Sequence, residues 1–370
     1  MGKDLNGKEL GSGITQRKDG YYFARVQFDD IKKSAYFVKL SDAKKWVVDQ
    51  KYALQNGIAT VENMTFAAWF TYWLDDVKGN TIAYRTQESY RELYKRYVKS
   101  YLGKMMLDKI KPIHCLHVLK TMEKQGLADS TIKKTRTVMH ECFESALENR
   151  LVIANPISKS VTAKGQPVKE RFVMTRAQQQ AFIEEAKAFS HSLEYEFVLL
   201  TGLRYGELAG LKWTDVDWKQ KTITINRALY FQRDIKRFVE KEPKSKAGYR
   251  TVPLTDGAIE ILKKQWAKNT PIVLGYQNYV FRNDEGKPSQ KSAYNKPLKV
   301  IMKNLGLPPI SMHNLRHTFA TRCIEAGMRP KTLQKILGHS SLAMTMDLYV
   351  HVTNDELISE FDKIKADLVV

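Results

Sequence analysis

The side chains with the most chemistry in this chain are dispersed along it. Arg204 lies in Thr201-Gly202-Leu203-Arg204-Tyr205-Gly206-Glu207, and His313 and Arg316 lie in His313-Asn314-Leu315-Arg316. His339 lies in Leu337-Gly338-His339-Ser340, and Tyr349 follows it by ten residues. Two arginines, two histidines and a tyrosine spread this way can act together only if one domain folds around them. A phenol is a poor nucleophile at its free pKa of about 10, so an attacking Tyr349 needs cations and hydrogen-bond donors around the group it attacks. Two guanidinium forks supply permanently charged, planar donors suited to the oxygens of a phosphodiester.

The charge balance fits a polyanionic partner. Sixty Lys and Arg against forty Asp and Glu give a formal charge of +20, and the sequence pI is about 9.6. For a chain with no apolar run of roughly 20 residues, this points to nucleic acid before a membrane surface. Met1-Gly2-Lys3-Asp4 opens without an apolar signal core. Cys115, Cys142 and Cys323 are odd in number and widely spaced, which predicts buried thiols in a reducing cytoplasm with neither disulfide framework nor zinc site.

Length predicts two or three domains. Residues 1–58 read as a small module. Two β-rich runs, Tyr21–Phe28 and Ser34–Leu40, flank Asp29–Lys33; a short strand and a Lys18-Asp19-Gly20 turn precede them; and Ser41 caps a helix that ends at Asn56-Gly57. Three strands and a helix would carry Arg17, Lys18, Arg25, Lys32 and Lys33 on and between the strands, as a sheet entering a DNA groove requires. An ordinary solvated sheet face is the plainer reading.

Residues 62–160 read as helical. Phe66, Trp69, Phe70, Trp73 and Leu74, then Tyr90, Leu93, Tyr94 and Tyr97, recur at three- and four-residue steps as a core stripe. Further helices are expected over 113–124 and 131–149, the second with Lys133, Lys134 and Arg136 near its start and Val138, Cys142, Phe143 and Ala146 along an apolar face. That basic helix start suits phosphate contact. The polar stretch 157–170, with Gly165 and Pro167, reads as a flexible linker whose span between domains is 161–170.

Residues 171–370 carry the chemistry. Thr175 opens a helix, and Arg204 starts another with Glu207 on the same face, placed to fix its guanidinium. Residues 221–225 and 250–254 read as strands, with Lys241–Tyr249 as a hairpin turn between them that carries Lys244 and Lys246 at its tip. A lysine there is placed to protonate a departing oxygen, aided by arginines that lower its pKa. His313 and Arg316 face the same way on one helix, while His317 points elsewhere. Leu337-Gly338 reads as a helix end that presents His339.

Taken in order, Thr-Gly-Leu-Arg204-Tyr-Gly-Glu-Leu, the hairpin lysine, His313-Asn-Leu-Arg316-His-Thr, Leu-Gly-His339-Ser and Tyr349-Val-His resemble the tyrosine recombinases, integrases of phages and conjugative transposons. The resemblance covers nearly the whole chain: residues 1–58 resemble an arm-binding domain, 62–160 a core-binding domain and 171–370 the catalytic domain. It implies a multidomain, mainly α protein with small β-sheets: a three-stranded sheet plus helix, a helical domain and an α+β catalytic domain. It implies Tyr349 as nucleophile, Arg204 and Arg316 as phosphate clamp, and His313 and His339 as hydrogen-bonding and proton-handling partners. Lys244 would be the acid, because Pro243-Lys244-Ser245 matches the family's common Pro-Lys-Thr run, with Lys246 as the alternative. It also implies double-stranded DNA with core and arm sites as substrate, a homotetramer on two duplexes, and a small excisionase and a DNA-bending protein as accessory partners.

Exchanging one phosphodiester for another requires neither ATP nor a metal, and the sequence has no phosphate-binding loop and no carboxylate cluster fit for two metals. No cofactor is expected. The tail 354–370 is amphipathic through Leu357, Ile358, Phe361 and Ile364, suited to docking on a neighbouring protomer or packing on its own domain. A type IB topoisomerase, a sequence-specific regulator that does not cut, and a metal-dependent nuclease are the competing readings.

Overall fold

The computed structural model describes residues 2–28, 31–55, 64–167, 172–243, 245–268 and 270–347. It divides into two units, Met1–Lys169 and Glu170–Val370.

The first unit opens with a short antiparallel pair, β1 (Gly2–Lys3) and β2 (Glu9–Gly11), which the sequence pattern did not suggest. The antiparallel sheet of β3 (Ile14–Gln16), β4 (Tyr22–Phe28) and β5 (Ile31–Phe37) follows, in that order. Gly20, at φ 86°, completes the expected turn between β3 and β4. Side chains alternate along β4, so Ala24 and Val26 point inward with Ile14 and meet Ala43 and Val47 of α1 (Leu40–Gln55).

The helical part of the unit comprises α2 (Phe66–Tyr72), α3 (Tyr84–Leu93), α4 (Lys99–Leu102), α5 (Pro112–Lys124) and α6 (Asp129–Glu148). Thr65 caps α2 by accepting from the Ala68 N–H at 3.3 Å. The aromatic stripe is core, as its spacing predicts: Phe66, Trp69, Phe70 and Trp73 are buried, Phe70 stacks on Tyr94 at 3.9 Å and Phe66 on Phe143 at 4.9 Å. The periodicity did not reveal the two π-helical turns, Trp73–Val77 after α2 and Tyr94–Val98 after α3.

The stretch expected to be flexible is held over much of its length. Ile157 and Val161 are buried in the helical core. Arg136 donates to the carbonyls of Val161 at 2.8 Å and Ser158 at 2.9 Å, and the Gln166 N–H bonds the Leu127 carbonyl at 2.9 Å. Two apolar residues in a polar stretch are enough to anchor it, and residues 168–171 lie outside the described residues.

The second unit begins with α7 (Arg176–Ala186), where Thr175 and Gln178 form a reciprocal capping box. Then come α8 (Ser192–Thr201), α9 (Tyr205–Ala209), β6 (Val216–Asp217), β7 (Thr222–Ile225), β8 (Ala228–Gln232), β9 (Arg237–Lys241), β10 (Arg250–Pro253) and α10 (Asp256–Ala267). After these come α11 (Lys291–Asn304), α12 (Met312–Glu325), α13 (Pro330–Leu337) and α14 (Ala343–Met346). β10, β7 and β6 form one antiparallel sheet, with Ile225 opposite Arg250. Ile223, Ile225 and Val252 of this sheet bury against Phe197 and Val198 of α8, Leu262 of α10, Leu298 of α11 and Leu315 of α12.

One expectation is corrected. Residues 241–249 are not the tip of a hairpin between β7 and β10, because a separate hairpin, β8–β9, intervenes. Its turn runs over Arg233–Lys236 with Lys236 at φ 51°, and residues 242–249 connect β9 to β10.

Candidate functional site

The site is built at two helix ends. Gly202 terminates α8 in the left-handed conformation, φ 66°, where a β-carbon would lie 2.3 Å from the Phe319 ring. Two residues on, Arg204 caps α9, and its backbone N–H donates to Oε2 of Glu207 at 2.9 Å. The expected Arg204–Glu207 pair is present, with Nη1 donating to Oε1 at 2.8 Å.

Glu207 holds more than Arg204. Arg250, at the start of β10, grips it with both Nη groups at 3.0 and 2.8 Å, and Arg316 of α12 lies 3.9 Å from Oε2. Burial alone raises the Glu207 pKa, but the hydrogen bond and charge of Arg250, then the charges of Arg204 and Arg316, outweigh it and bring the carboxyl down to about 2.

The three guanidinium groups also meet the C-terminal end of α13, whose last carbonyls have no partner inside the helix. Arg204 donates to Leu337 at 3.2 Å and Gly338 at 3.1 Å, Arg316 to Leu337 at 2.7 Å, and Arg250 to Ile336 at 2.5 Å. Arg316 further donates to the Gly202 carbonyl at 2.8 Å. Burial, then the neighbouring Arg204, lower the Arg316 pKa to about 9, which leaves it cationic at neutral pH. Three cations against one carboxylate leave two net positive charges beside a helix terminus that carries partial negative charge.

Gly338, at φ 64°, ends α13 as its sequence predicts, and His339 follows, buried. His339 Nδ1 lies 2.9 Å from the hydroxyl of the fully buried Thr345. Burial, then the charges of Arg316, Arg204, Arg250 and His313, lower its pKa to about 4, so the ring is neutral at pH 7. His313 is exposed on the first turn of α12, its ring edge-on to that of buried His317 at 4.4 Å.

Arg204, Arg316 and His339, dispersed in sequence, are thus brought together, with His313 close enough to act on His339 electrostatically. Lys246 heads a 3₁₀ turn, Lys246–Gly248, and is exposed. Lys244, Tyr349 and the tail 354–370 lie outside the described residues. The sequence reading overlooked Arg250, placed there only at the start of a strand, and Thr345. A pairing 43 residues apart leaves no periodic signal; the only hint was an arginine at a β-strand start beside the lysine-bearing segment.

The basic residues expected to contact DNA divide into groups. On the outer face of the amino-terminal sheet, Arg25 donates to Gln27 at 3.3 Å, Lys32 lies opposite Gln27, and Arg17 sits over the exposed Tyr36 ring at 5.1 Å while pairing with Asp19 at 3.1 Å. Phe23 packs beside Tyr36 at 5.1 Å, and Lys18 is exposed at the turn. Lys33 lies opposite Val26, on the inner face. In α6, Lys133 pairs with Asp129 at 2.7 Å and Lys134 with the Ser89 hydroxyl at 2.7 Å; Arg136 is turned onto its own chain's carbonyls.

Comparison with known proteins identifies the family. Residues 172–356 match the model of the phage integrase family, and residues 65–122 match the phage integrase N-terminal SAM-like domain. The transposase of transposon Tn916 from Enterococcus faecalis is 29% identical over 99% of this chain and 97% of its own length. A XerC-like tyrosine recombinase of Caldanaerobacter subterraneus is 28% identical over 87% of this chain and 88% of its own. The integrase of transposon Tn1549, solved in complex with transposon right-end DNA, superposes with a TM-score of 0.68 at 25% identity, covering 82% of this chain and 100% of that one. A lambda integrase dimer bound to a core site shares the fold at a TM-score of 0.61 and 18% identity, over 92% and 95% of the two chains.

The chain belongs to the phage integrase family. Within that family it is a tyrosine site-specific recombinase, an enzyme of DNA strand exchange.

Proposed function

We propose that this recombinase integrates and excises a mobile element of the conjugative-transposon or prophage kind, cutting and rejoining DNA through a 3′-phosphotyrosyl intermediate. The observation that carries the reading is the arginine cluster. Arg204 commits three of the five N–H groups of a guanidinium to Glu207 and the Leu337 and Gly338 carbonyls and is 37% exposed at its side chain, so it keeps donors for a phosphate oxygen. Arg316 commits two. Two net positive charges match a phosphodiester that gains a second negative charge as the phosphorane forms.

In this reading Tyr349 Oη attacks the scissile phosphorus, and His313 takes up the phenol proton. The bond to the 5′ oxygen breaks, and Lys244, or Lys246 if Lys244 does not reach, protonates that oxygen. His339, held neutral, hydrogen-bonds a non-bridging oxygen. Attack by a 5′ hydroxyl of a second duplex reverses the step and restores the backbone. Recombination needs four such exchanges, hence a homotetramer on two duplexes, with an excisionase and a DNA-bending protein setting direction. The outer face of residues 1–58 would read arm sites, the helical domain 62–160 would grip core sites, and the enzyme would work on the bacterial nucleoid.

The test is covalent trapping: the protein is mixed with nicked duplexes from its element's junctions in EDTA, and SDS-resistant protein–DNA bands are compared for the wild type and Tyr349→Phe. A band in the wild type that vanishes in the variant is expected. A band that persists in the variant, or one that appears only when a divalent metal replaces the EDTA, overturns the assignment.

A further inference from the structure

We propose that Arg250 is a positioning residue for strand cleavage: with two N–H groups on Glu207 and a third on the Ile336 carbonyl, it sets where Arg204 and Arg316 present their remaining donors and where α13 delivers His339. The inference rests on the reading of those residues as the phosphate-binding set.

Arg250 is not placed to bind phosphate itself. Its side chain is 5% exposed, against 37% for Arg204. Four of its five N–H groups have partners: Nε on Ile336, Nη1 on Glu207 and, at 3.4 Å, on Gly248, and Nη2 on Glu207.

Its partners are the pieces that must stay in register for the reaction. Arg204, Arg250 and Arg316 all converge on the carboxylate of Glu207. Ile336 belongs to the last turn of α13, and the next two carbonyls receive Arg204 and Arg316. Gly248 belongs to the segment between β9 and β10 that carries Lys244 and Lys246. That segment touches the end of α13 directly, since a β-carbon on Gly338 would lie 2.9 Å from the Ala247 carbonyl oxygen and 2.9 Å from Arg250 Nη1. One side chain therefore ties the lysine-bearing segment, the clamp carboxylate and the histidine-bearing helix end together. A planar fork suits this arrangement where an ammonium does not, because a lysine is a point charge that cannot grip Glu207 bidentately while holding Ile336 in the same fixed geometry.

The test measures single-turnover formation of the covalent protein–DNA complex at saturating nicked duplex, together with equilibrium DNA binding. It uses the full chain carrying Arg250→Lys, Arg250→Met, Glu207→Gln and the Arg250→Met/Glu207→Gln pair, each assayed well below its own melting temperature. Arg250→Lys is expected to slow the covalent step about 100-fold while DNA affinity changes by less than about threefold, as a misplacement of reacting groups by about 1 Å does. The double variant should be slowed by less than the product of the two single effects, because Arg250 acts in part through Glu207. Arg250→Lys, the milder change, keeps the test valid if Arg250→Met does not fold. A folded Arg250→Lys protein that cleaves within about threefold of wild type, or variants whose effects multiply independently, would overturn the proposal. Failure of the underlying reading looks different: the wild type then forms no covalent complex, or Tyr349→Phe forms one.

Discussion

At Glu207 two large effects oppose each other. Burial penalises a carboxylate charge, yet three guanidinium groups surround it, and the attraction prevails by enough to hold the pKa at about 2. A carboxyl whose pKa is depressed on folding stabilises the fold above its unfolded value, and that contribution is lost as pH falls from about 4.5 toward 2. His339 adds a loss that begins earlier: its pKa falls from 6.5 to about 4 on folding, so stability drops as acid charges the unfolded ring first. Replacing Glu207 by Gln keeps the shape and leaves Arg250 buried without its counter-charge, a change that costs about 3–5 kcal/mol. For a unit of this size that lowers the melting temperature by about 10 °C at pH 7. Thermal melts from pH 7 to 3.5 should show both proteins losing stability between pH 6.5 and 4.5, with the gap between them narrowing only below 4.5. A Glu207→Gln protein that melts with the wild type at pH 7 would mean the carboxylate contributes no net stability.

At the scale of elements, the end of α13 does the most. Its last carbonyls need donors, three arginines need acceptors that do not neutralise them, and the left-handed turn at Gly338 delivers His339 beside them. An alanine at 338 meets two obstacles: a conformation that costs a residue with a β-carbon about 1–2 kcal/mol, and the Ala247 carbonyl oxygen 2.9 Å from that carbon. Gly338→Ala should therefore lower stability by at least that amount and slow covalent-complex formation about tenfold through displacement of His339. Cleavage at the wild-type rate would show that the turn can shift without moving the histidine. This helix end was legible in the sequence, because Leu-Gly after a periodic run is a local signal, as were the Thr175 cap and the aromatic stripe through Trp73. The β8–β9 hairpin was not. Its turn over Arg233–Lys236 contains no glycine, and Lys236 takes the positive φ instead, so nothing in the local chemistry marked a reversal. The grip of Arg250 on Glu207 was illegible for a related reason: it joins β10 to α9 across a fold that the sequence had not yet specified.

Across the whole molecule, the charge of +20 was legible as a nucleic-acid signal from composition alone, but how each basic residue is engaged was not. Arg136 and Lys18 look alike in sequence, yet the first holds two carbonyls of its own chain and the second stands in solvent. Pairing decides the difference, and pairing is set by strand register and by what packs on a helix. On the outer face of the amino-terminal sheet, Arg17, Arg25 and Lys32 accompany Phe23 and Tyr36, while Lys33 falls on the other side because side chains alternate along β5. If that face meets arm-site DNA, each cation that neutralises a phosphate contributes about 0.9 to the slope of log affinity against log salt. The full chain carrying Arg17→Ala, Arg25→Ala and Lys32→Ala should then bind an arm-site duplex with a salt slope shallower by about 3. Its single-turnover rate on a saturating core-site nicked duplex should stay within about twofold of wild type, because those residues lie far along the chain from the arginine cluster and on the outer face of a sheet whose core is separate from that of the catalytic unit. An unchanged slope would move the arm-site contacts off this face, whereas a matched loss of cleavage would mean that the amino-terminal sheet and the catalytic unit are coupled during the covalent step.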